Sequence, residues 1–148
     1  IKCKKKNIVE NGYLKYFINS LEQSRQLKSP PTGNASRSVS SVPYPSATNL
    51  YLDKGPHTKK NIIKNLKTGL LVTELMGSSV NLSNGDYSRG ASGFWIENGE
   101  IQYPVSEVTI AGNLLDMFNR LIPANDLTLK YGINAPSCLI ENLTIAGI

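Results

Sequence analysis

The alternation of apolar and polar positions is sharpest between Val80 and Val105, VNLSNGDYSRGASGFWIENGEIQYPV, and it predicts a β-meander. Asn84-Gly85 and Asn98-Gly99 are Asn-Gly pairs, which accept the positive φ of a two-residue type I′ turn, so each is expected to reverse a strand. With Asn98 and Gly99 as the loop, Glu97 faces Glu100, Ile96 faces Ile101, Trp95 faces Gln102 and Phe94 faces Tyr103. Phe94, Ile96, Ile101 and Tyr103 then share one apolar face, which Val105 continues. A slip of one residue would turn that set into water, so turn and pattern specify one register. Gly90 and Gly93 interrupt the middle strand and predict a bulge or a close backbone approach.

The same logic recurs from Ile1 to Phe17. There Val9-Glu10-Asn11-Gly12 is the turn region, and Val9, Leu14 and Tyr16 stand where Ile96, Ile101 and Tyr103 stand in the meander. Asn19 is expected to cap a short helix through Lys28, with Leu21 and Leu27 facing inward and Pro30-Pro31 ending it. Residues 29–49, SPPTGNASRSVSSVPYPSATN, are too rich in Ser and Pro to bury themselves and predict an exposed loop that a partner could order.

Leu50, Tyr51 and Leu52 suggest a short strand ended by Gly55-Pro56. Thr58 is expected to cap a helix with Ile62, Ile63 and Leu66 on one face and Lys59, Lys60, Lys64 and Lys67 on the other. Gly69 would stop that helix, and residues 70–75 read as a buried strand leading to a turn at Gly77. Beyond the meander, Val108 to Ala111 is a short apolar run. Asn113 then caps LLDMFNRLI, a helix ended by Pro123 with Leu114, Met117, Phe118 and Leu121 inward. Leu127 and Leu129 suggest another strand, and residues 137–146 a final one. Helices and strands mix without βαβ alternation. The expected class is α+β, with a mainly antiparallel sheet built from hairpins and two or three short helices.

Composition narrows this picture little. The 148 residues, 40% hydrophobic and 18% charged, suffice for one domain with a core and exclude a disordered tail. No apolar run approaches membrane-spanning length and no signal peptide opens the chain, so a cytoplasmic protein with no membrane partner is expected. The chain begins at Ile1 in a strand-like run, so it is expected to be the C-terminal part of a longer polypeptide. Cys3 and Cys138 are too few for a disulfide framework, which fits a reducing compartment. A net charge of +5 permits an acidic partner without naming one.

Candidate chemistry is sparse. A zinc hydrolase needs three protein ligands and a base, and a serine or cysteine hydrolase needs a histidine beside its nucleophile. The only histidine, His57, lies between Pro56 and a basic helix and reads as a surface residue. Cys138 shares parity with Ile140 and reads as a buried structural thiol. Glu97 and Glu100 face each other across a turn as solvated charges, not as a glycosidase pair. Asp86, Tyr87, Ser88 and Arg89 are more informative: they either contact a peptide or partner, or knit the hairpin to its neighbour. Lysines 2, 4, 5 and 6 and those after Thr58 raise nucleic-acid binding as a rival, but Tyr and Phe follow the core pattern and offer no stacking platform.

Taken in order, ENGYLKYFINSLEQSRQL, TGNASR, NLYLDKG, GLLVTELMGSSVNLSNGDYSRGASGFWIENGEIQYPVSEVTIAGNLLDMF and IENLTIAGI resemble the C-terminal region of the TldD/PmbA family, nearer the PmbA (TldE) branch. The resemblance covers nearly the whole chain, as a single C-terminal domain over residues 1–148 whose N-terminal part is absent. It implies a cytoplasmic metallopeptidase complex of TldD and PmbA as a heterodimer, acting on unfolded peptides. A homodimer is the other arrangement to expect, and an older family name is modulator of DNA gyrase. Asn34 and Arg37 of the TGNASR stretch join Asp86, Tyr87, Ser88 and Arg89 as candidate peptide or partner contacts.

In the TldD branch an HExxxH helix and a cysteine near the C-terminus hold zinc. This sequence has no HExxxH, whose family position would lie upstream of Ile1. The ligand cysteine belongs to an insertion expected near Gly132 to Ala135, where only Ile133 and Asn134 stand. Cys138 matches a position that the catalytic branch fills with an apolar residue. The resemblance thus carries no catalytic, cofactor-binding or metal residue onto this chain, and zinc is expected only in a TldD-like partner.

Overall fold

The computed structural model describes residues 4–147, apart from the side chain of Ser78. The expectations for Ile1 and Cys3 lie outside the described residues. In chain order the elements are β1 (Val9–Glu10), β2 (Tyr13–Leu14), α1 (Leu21–Gln26), β3 (Ala35–Ser36), β4 (Tyr44–Pro45), β5 (Leu50–Tyr51), α2 (Lys59–Lys64), β6 (Thr68–Val80), β7 (Asp86–Glu97), β8 (Glu100–Asn113), α3 (Leu114–Asn119), β9 (Leu121–Pro123), β10 (Ile133–Asn134), β11 (Cys138–Ile140) and β12 (Thr144–Ala146). The class is α+β, dominated by antiparallel pairing, with short helices. The chain divides into two compact units, the smaller built from residues 1–51 and 130–134 and the larger from residues 52–129 and 135–148.

In the larger unit a four-stranded sheet runs in the order β12-β8-β7-β6. The β7–β8 turn is as the pattern demands: Asn98 and Gly99 have φ of 51° and 79°, Ile96 pairs with Ile101 and Glu97 with Glu100. Beyond that pair the expected register fails. A shift between Phe94 and Ile96 places Phe94 opposite Pro104 instead of Tyr103. Pro104 has no N–H to give a regular ladder, and a bulge absorbs the mismatch. The expected apolar face is accordingly uneven, with Ile96 1% exposed but Phe94, Ile101 and Tyr103 39%, 51% and 47% exposed. The turn abuts the end of α2, where a Cβ on Gly99 would press into the Lys64 backbone, and Asn98 N–H donates to the carbonyl of Lys67, between α2 and β6, at 2.6 Å.

Gly93 meets its expectation, because a Cβ there would overlap the Leu71 carbonyl. The core itself sits further along the sheet, where Ala91, Val108 and Ile110 are buried and Leu70, Val72, Tyr87, Val105 and Ile145 pack on them.

Several local expectations are corrected. Asn84-Gly85 is not a two-residue turn, since residues 81–85 form the loop and only Gly85 of the pair has positive φ, 83°. Gly69 lies inside β6, opposite Ile96, and α2 has already ended at Asn65. Gly77, with φ of 69°, bulges β6 without reversing it. Val108 to Ala111 belongs to the long β8. Thr58 does cap α2, accepting from Asn61 N–H at 3.1 Å, and Asn113 caps α3. But α3 ends at Asn119, Phe118 is exposed, and Leu121 opens β9. Leu127 and Leu129 form no strand, and the final strand is two, β11 pairing β9 and β12 pairing β8, parted near Asn142 with its φ of 59°.

In the smaller unit Asn11 and Gly12 form a turn of the same kind, with φ of 51° and 77°, and Val9 pairs with Leu14 as Ile96 pairs with Ile101. The cap of α1 is Ser20 rather than Asn19, with a capping box to Gln23, and Leu21 and Leu27 are exposed. Asn19 is buried because its side chain ties down the following loop, accepting from Thr32 N–H at 3.0 Å and donating to Ser29 Oγ at 3.1 Å. Residues 29–49 are mostly exposed yet not formless: β3 and β4 pair within them.

Candidate functional site

The strand β7 sets the geometry of Asp86, Tyr87, Ser88 and Arg89, because successive residues alternate between its faces. Asp86 and Ser88 are exposed, and with Ser79, Val80 and Asn81 they line a shallow hollow of about 300 Å³. Tyr87 and Arg89 are half-buried on the other face, Tyr87 packing on the core and Arg89 pairing with the buried Ile110. Asp86 serves its own loop: one carboxylate oxygen accepts from Asn84 Nδ2 at 2.7 Å, and the Asp86 carbonyl accepts from Asn81 N–H at 2.8 Å. Asn113 Nδ2 reaches back to the Asn84 carbonyl at 3.0 Å. Arg89 serves nothing comparable, for its Nε is buried without a hydrogen-bond partner. The four neighbours therefore split: Asp86 knits its loop, Tyr87 packs on the core, Ser88 lines the hollow beside Asp86, and Arg89 keeps a buried Nε without a hydrogen-bond partner.

Asn34 and Arg37 lie in the smaller unit. Asn34 is half-buried, its side-chain oxygen 3.5 Å from Lys6 Nζ and its carbonyl accepting from Ser46 N–H at 3.2 Å, so its polar groups hold the β3–β4 loop. Arg37 is exposed at the end of β3. In the same unit Lys5, Lys6, Lys15, Asn7, Glu10 and Tyr16 line an open hollow of about 720 Å³. Asn134, where the catalytic branch would be expected to insert its cysteine, is buried, and its Oδ1 accepts from the N–H groups of Lys130 and Tyr131 at 2.9 and 3.0 Å.

Zinc asks for three or four clustered His, Cys or carboxylate donors. Among the described residues no three such side chains gather. His57 is exposed, and its carbonyl, accepting from Asn125 N–H at 2.9 Å, holds the chain beside Ala124. Cys138 is exposed, which corrects the expectation of a buried thiol. Partial burial, and then the Asp126 carboxylate, push its pKa up, which disfavours the thiolate that metals and electrophiles require. Asp126 is held below the ordinary carboxylate range chiefly by the Ser137 hydroxyl, then by the Ser137 N–H. The described residues do not fit a zinc site. Nor is any helix of the described residues long and apolar enough to cross a membrane.

Comparison with known proteins places the chain. The family model described as "PmbA/TldA metallopeptidase C-terminal domain" matches residues 1–147. The chain is 41% identical to the metalloprotease PmbA homolog of Haemophilus influenzae and 38% identical to metalloprotease PmbA of Escherichia coli O157:H7. In each case 99% of this chain aligns with 31% of the relative. It therefore spans about a third of the length of these relatives. Among solved structures, TldE from Thermococcus kodakarensis is similar with a TM-score of 0.88 at 26% identity, over 99% of this chain and 35% of that one. A Thermotoga maritima protein described as a modulator of a DNA gyrase is similar with a TM-score of 0.84 at 34% identity, over 99% of this chain and 34% of that one. With the family model, the curated relatives and the solved folds in agreement, the chain belongs to the PmbA/TldD family, whose C-terminal domain it matches along nearly its whole length.

Proposed function

We propose that the chain is the C-terminal domain of a PmbA/TldE-like, non-catalytic subunit that works beside a TldD-type zinc metallopeptidase subunit in cytoplasmic proteolysis and peptide maturation. The observation that carries this reading is the likeness, over 99% of the chain, to proteins named PmbA and to a structure named TldE. Two physical features support it. Among the described residues no three metal-binding side chains gather, which agrees with zinc lying in the partner. The thirteen-residue β6 pairs on one side only among the described residues, and an open strand edge binds extended peptide through main-chain hydrogen bonds.

The test is peptide digestion by the full-length parent alone, a TldD-like subunit alone, and both together. Zinc-dependent cleavage is expected with both and is overturned as a reading by cleavage with the parent alone. The basic hollow around Lys5, Lys6 and Lys15 favours a second reading, a nucleic-acid contact linked to gyrase modulation. Binding of that kind would weaken steeply with salt. Tight, salt-sensitive DNA binding without association with the TldD-like subunit would favour it over the first.

A further inference from the structure

In the smaller unit the usual placement of side chains is inverted. Among its described residues the buried ones are Asn19, Ser20, Ser24 and Asn134, all polar, and no apolar side chain is buried. Tyr13, Phe17, Leu27, Val42, Tyr131 and Ile133 are each more than half exposed. The strands of this unit form three two-stranded ladders, β1–β2, β3–β4 and β5–β10, each two residue pairs long, and α1 has six residues. Ladders and helices this short are marginal in water unless an apolar face packs on something. Hydrogen bonds such as those of Asn19 to Thr32 and Ser29 add only about 1 kcal/mol each and cannot stand in for a core. The unit therefore owes its stability to a surface that covers it.

Charge says what kind of surface that is. Residues 1–51 and 130–134 carry nine Lys and Arg against two acidic residues, Glu10 and Glu22, whereas the rest of the chain carries seven against nine. Lys5 Nζ lies 5.5 Å from the centre of the Tyr51 ring and Lys15 Nζ 5.9 Å from that of Tyr13, so cations and rings form one mixed surface. Its complement is apolar at the centre and acidic at the rim. Nucleic acid would match the cations and stack on the rings, but it offers nothing to the exposed aliphatic Leu14, Leu21, Leu27, Val39 and Val42. A protein surface serves both. In the PmbA relatives 31% of the polypeptide matches this chain, and the matching family model is a C-terminal domain, so about two-thirds of such a polypeptide lies upstream of the shared region. A cover on the same polypeptide acts at high effective concentration, whereas a separate subunit covers the unit only after assembly.

We propose that the smaller unit is the seat for an acidic, apolar-centred face of the parent polypeptide's own upstream part. The proposal rests on reading the chain as a C-terminal domain, and it holds for the parent without a TldD-like subunit. Its test uses the full-length parent, as a mixture of unlabelled and nitrogen-15-labelled protein. Hydroxyl-radical oxidation of Tyr13, Phe17 and Tyr131 is expected to be about tenfold slower in the native parent than in urea, the change that accompanies core-like burial of an aromatic ring. A zero-length carbodiimide, which joins an amine to a carboxylate in direct contact, should link Lys4, Lys15 or Lys28 to upstream Asp or Glu of the same polypeptide.

Native oxidation rates equal to those in urea overturn the proposal. So does protection that arises only on adding a TldD-like subunit or a single-stranded oligonucleotide. Cross-links solely between labelled and unlabelled polypeptides overturn it in favour of a second copy, and protection without any such link removes the acidic cover. Each of these results leaves the reading as a C-terminal domain intact, whereas a parent with no upstream part defeats both together.

Discussion

Asp126 and Ser137 are joined twice: the Ser137 N–H donates to one carboxylate oxygen of Asp126 at 2.8 Å and the Ser137 hydroxyl to the other at 2.7 Å. Ser137 also accepts, through its carbonyl, the Ala124 N–H at 2.7 Å, so this pair ties the segment after β9 to the start of β11.

The double bond has a pH signature. Both donors favour the ionised carboxylate, so the folded pKa of Asp126 lies below its ordinary value of 3.8. A carboxylate depressed on folding stabilises the fold above its unfolded pKa and loses that contribution as pH falls through the folded value. Ser137→Ala is therefore expected to lower the urea midpoint at neutral pH and to leave it nearly unchanged well below pH 3.8, where Asp126 is protonated in both chains. An identical loss at both pH values would show that Ser137 acts through packing alone.

The two Asn-Gly turns of like conformation separate backbone strain from steric overlap. Gly12 and Gly99 have φ of 77° and 79°, but a Cβ on Gly12 meets nothing within 4 Å, whereas one on Gly99 presses into the Lys64 backbone, 2.9 Å from its carbonyl carbon. Gly12→Ala should cost about 1–2 kcal/mol, the strain of a left-handed residue. Gly99→Ala should cost about 1–3 kcal/mol more, the price of forcing atoms into a filled space. Denaturant midpoints of the two variants measure the difference, and equal losses would mean that the end of α2 yields freely.

The opposed pair Ile96 and Ile101 makes a second internal comparison. Ile96→Ala, at a position 1% exposed, is expected to cost about 2–4 kcal/mol, while Ile101→Ala, at one 51% exposed, should cost under about 1 kcal/mol. Assembly with a partner that covers Ile101 would raise the second figure without changing the first. Measuring both variants free and in the assembly distinguishes a core residue from an interface residue on one cross-strand pair.

Local chemistry was readable from the residues themselves. Asn98-Gly99 and Asn11-Gly12 announce their turns because few other dipeptides accept two positive φ values, and Thr58 and Asn113 announce helix starts because their side chains satisfy backbone donors one turn in. The meander and the stretches flanking it, none of them catalytic, sufficed to recognise the family, and the match of residues 1–147 upholds that.

Tertiary structure decided the rest, for reasons no local rule carries. Gly69 and Gly77 read as a helix stop and a turn, but pairing with β7 draws both into one continuous strand, because ladder hydrogen bonds outweigh the local preference of a glycine. Phe94, Ile101 and Tyr103 follow the strand period as well as Ile96 does, yet only Ile96 is buried. Periodicity says which residues share a face, and only the neighbouring elements say whether that face is covered. Arg89 is the plainest case: in the sequence it is one polar residue among four, and only the sheet shows that its Nε is shut from water with no acceptor. Burial and hydrogen-bond satisfaction depend on residues distant in the chain, and they single out the residue that the motif alone left among its neighbours.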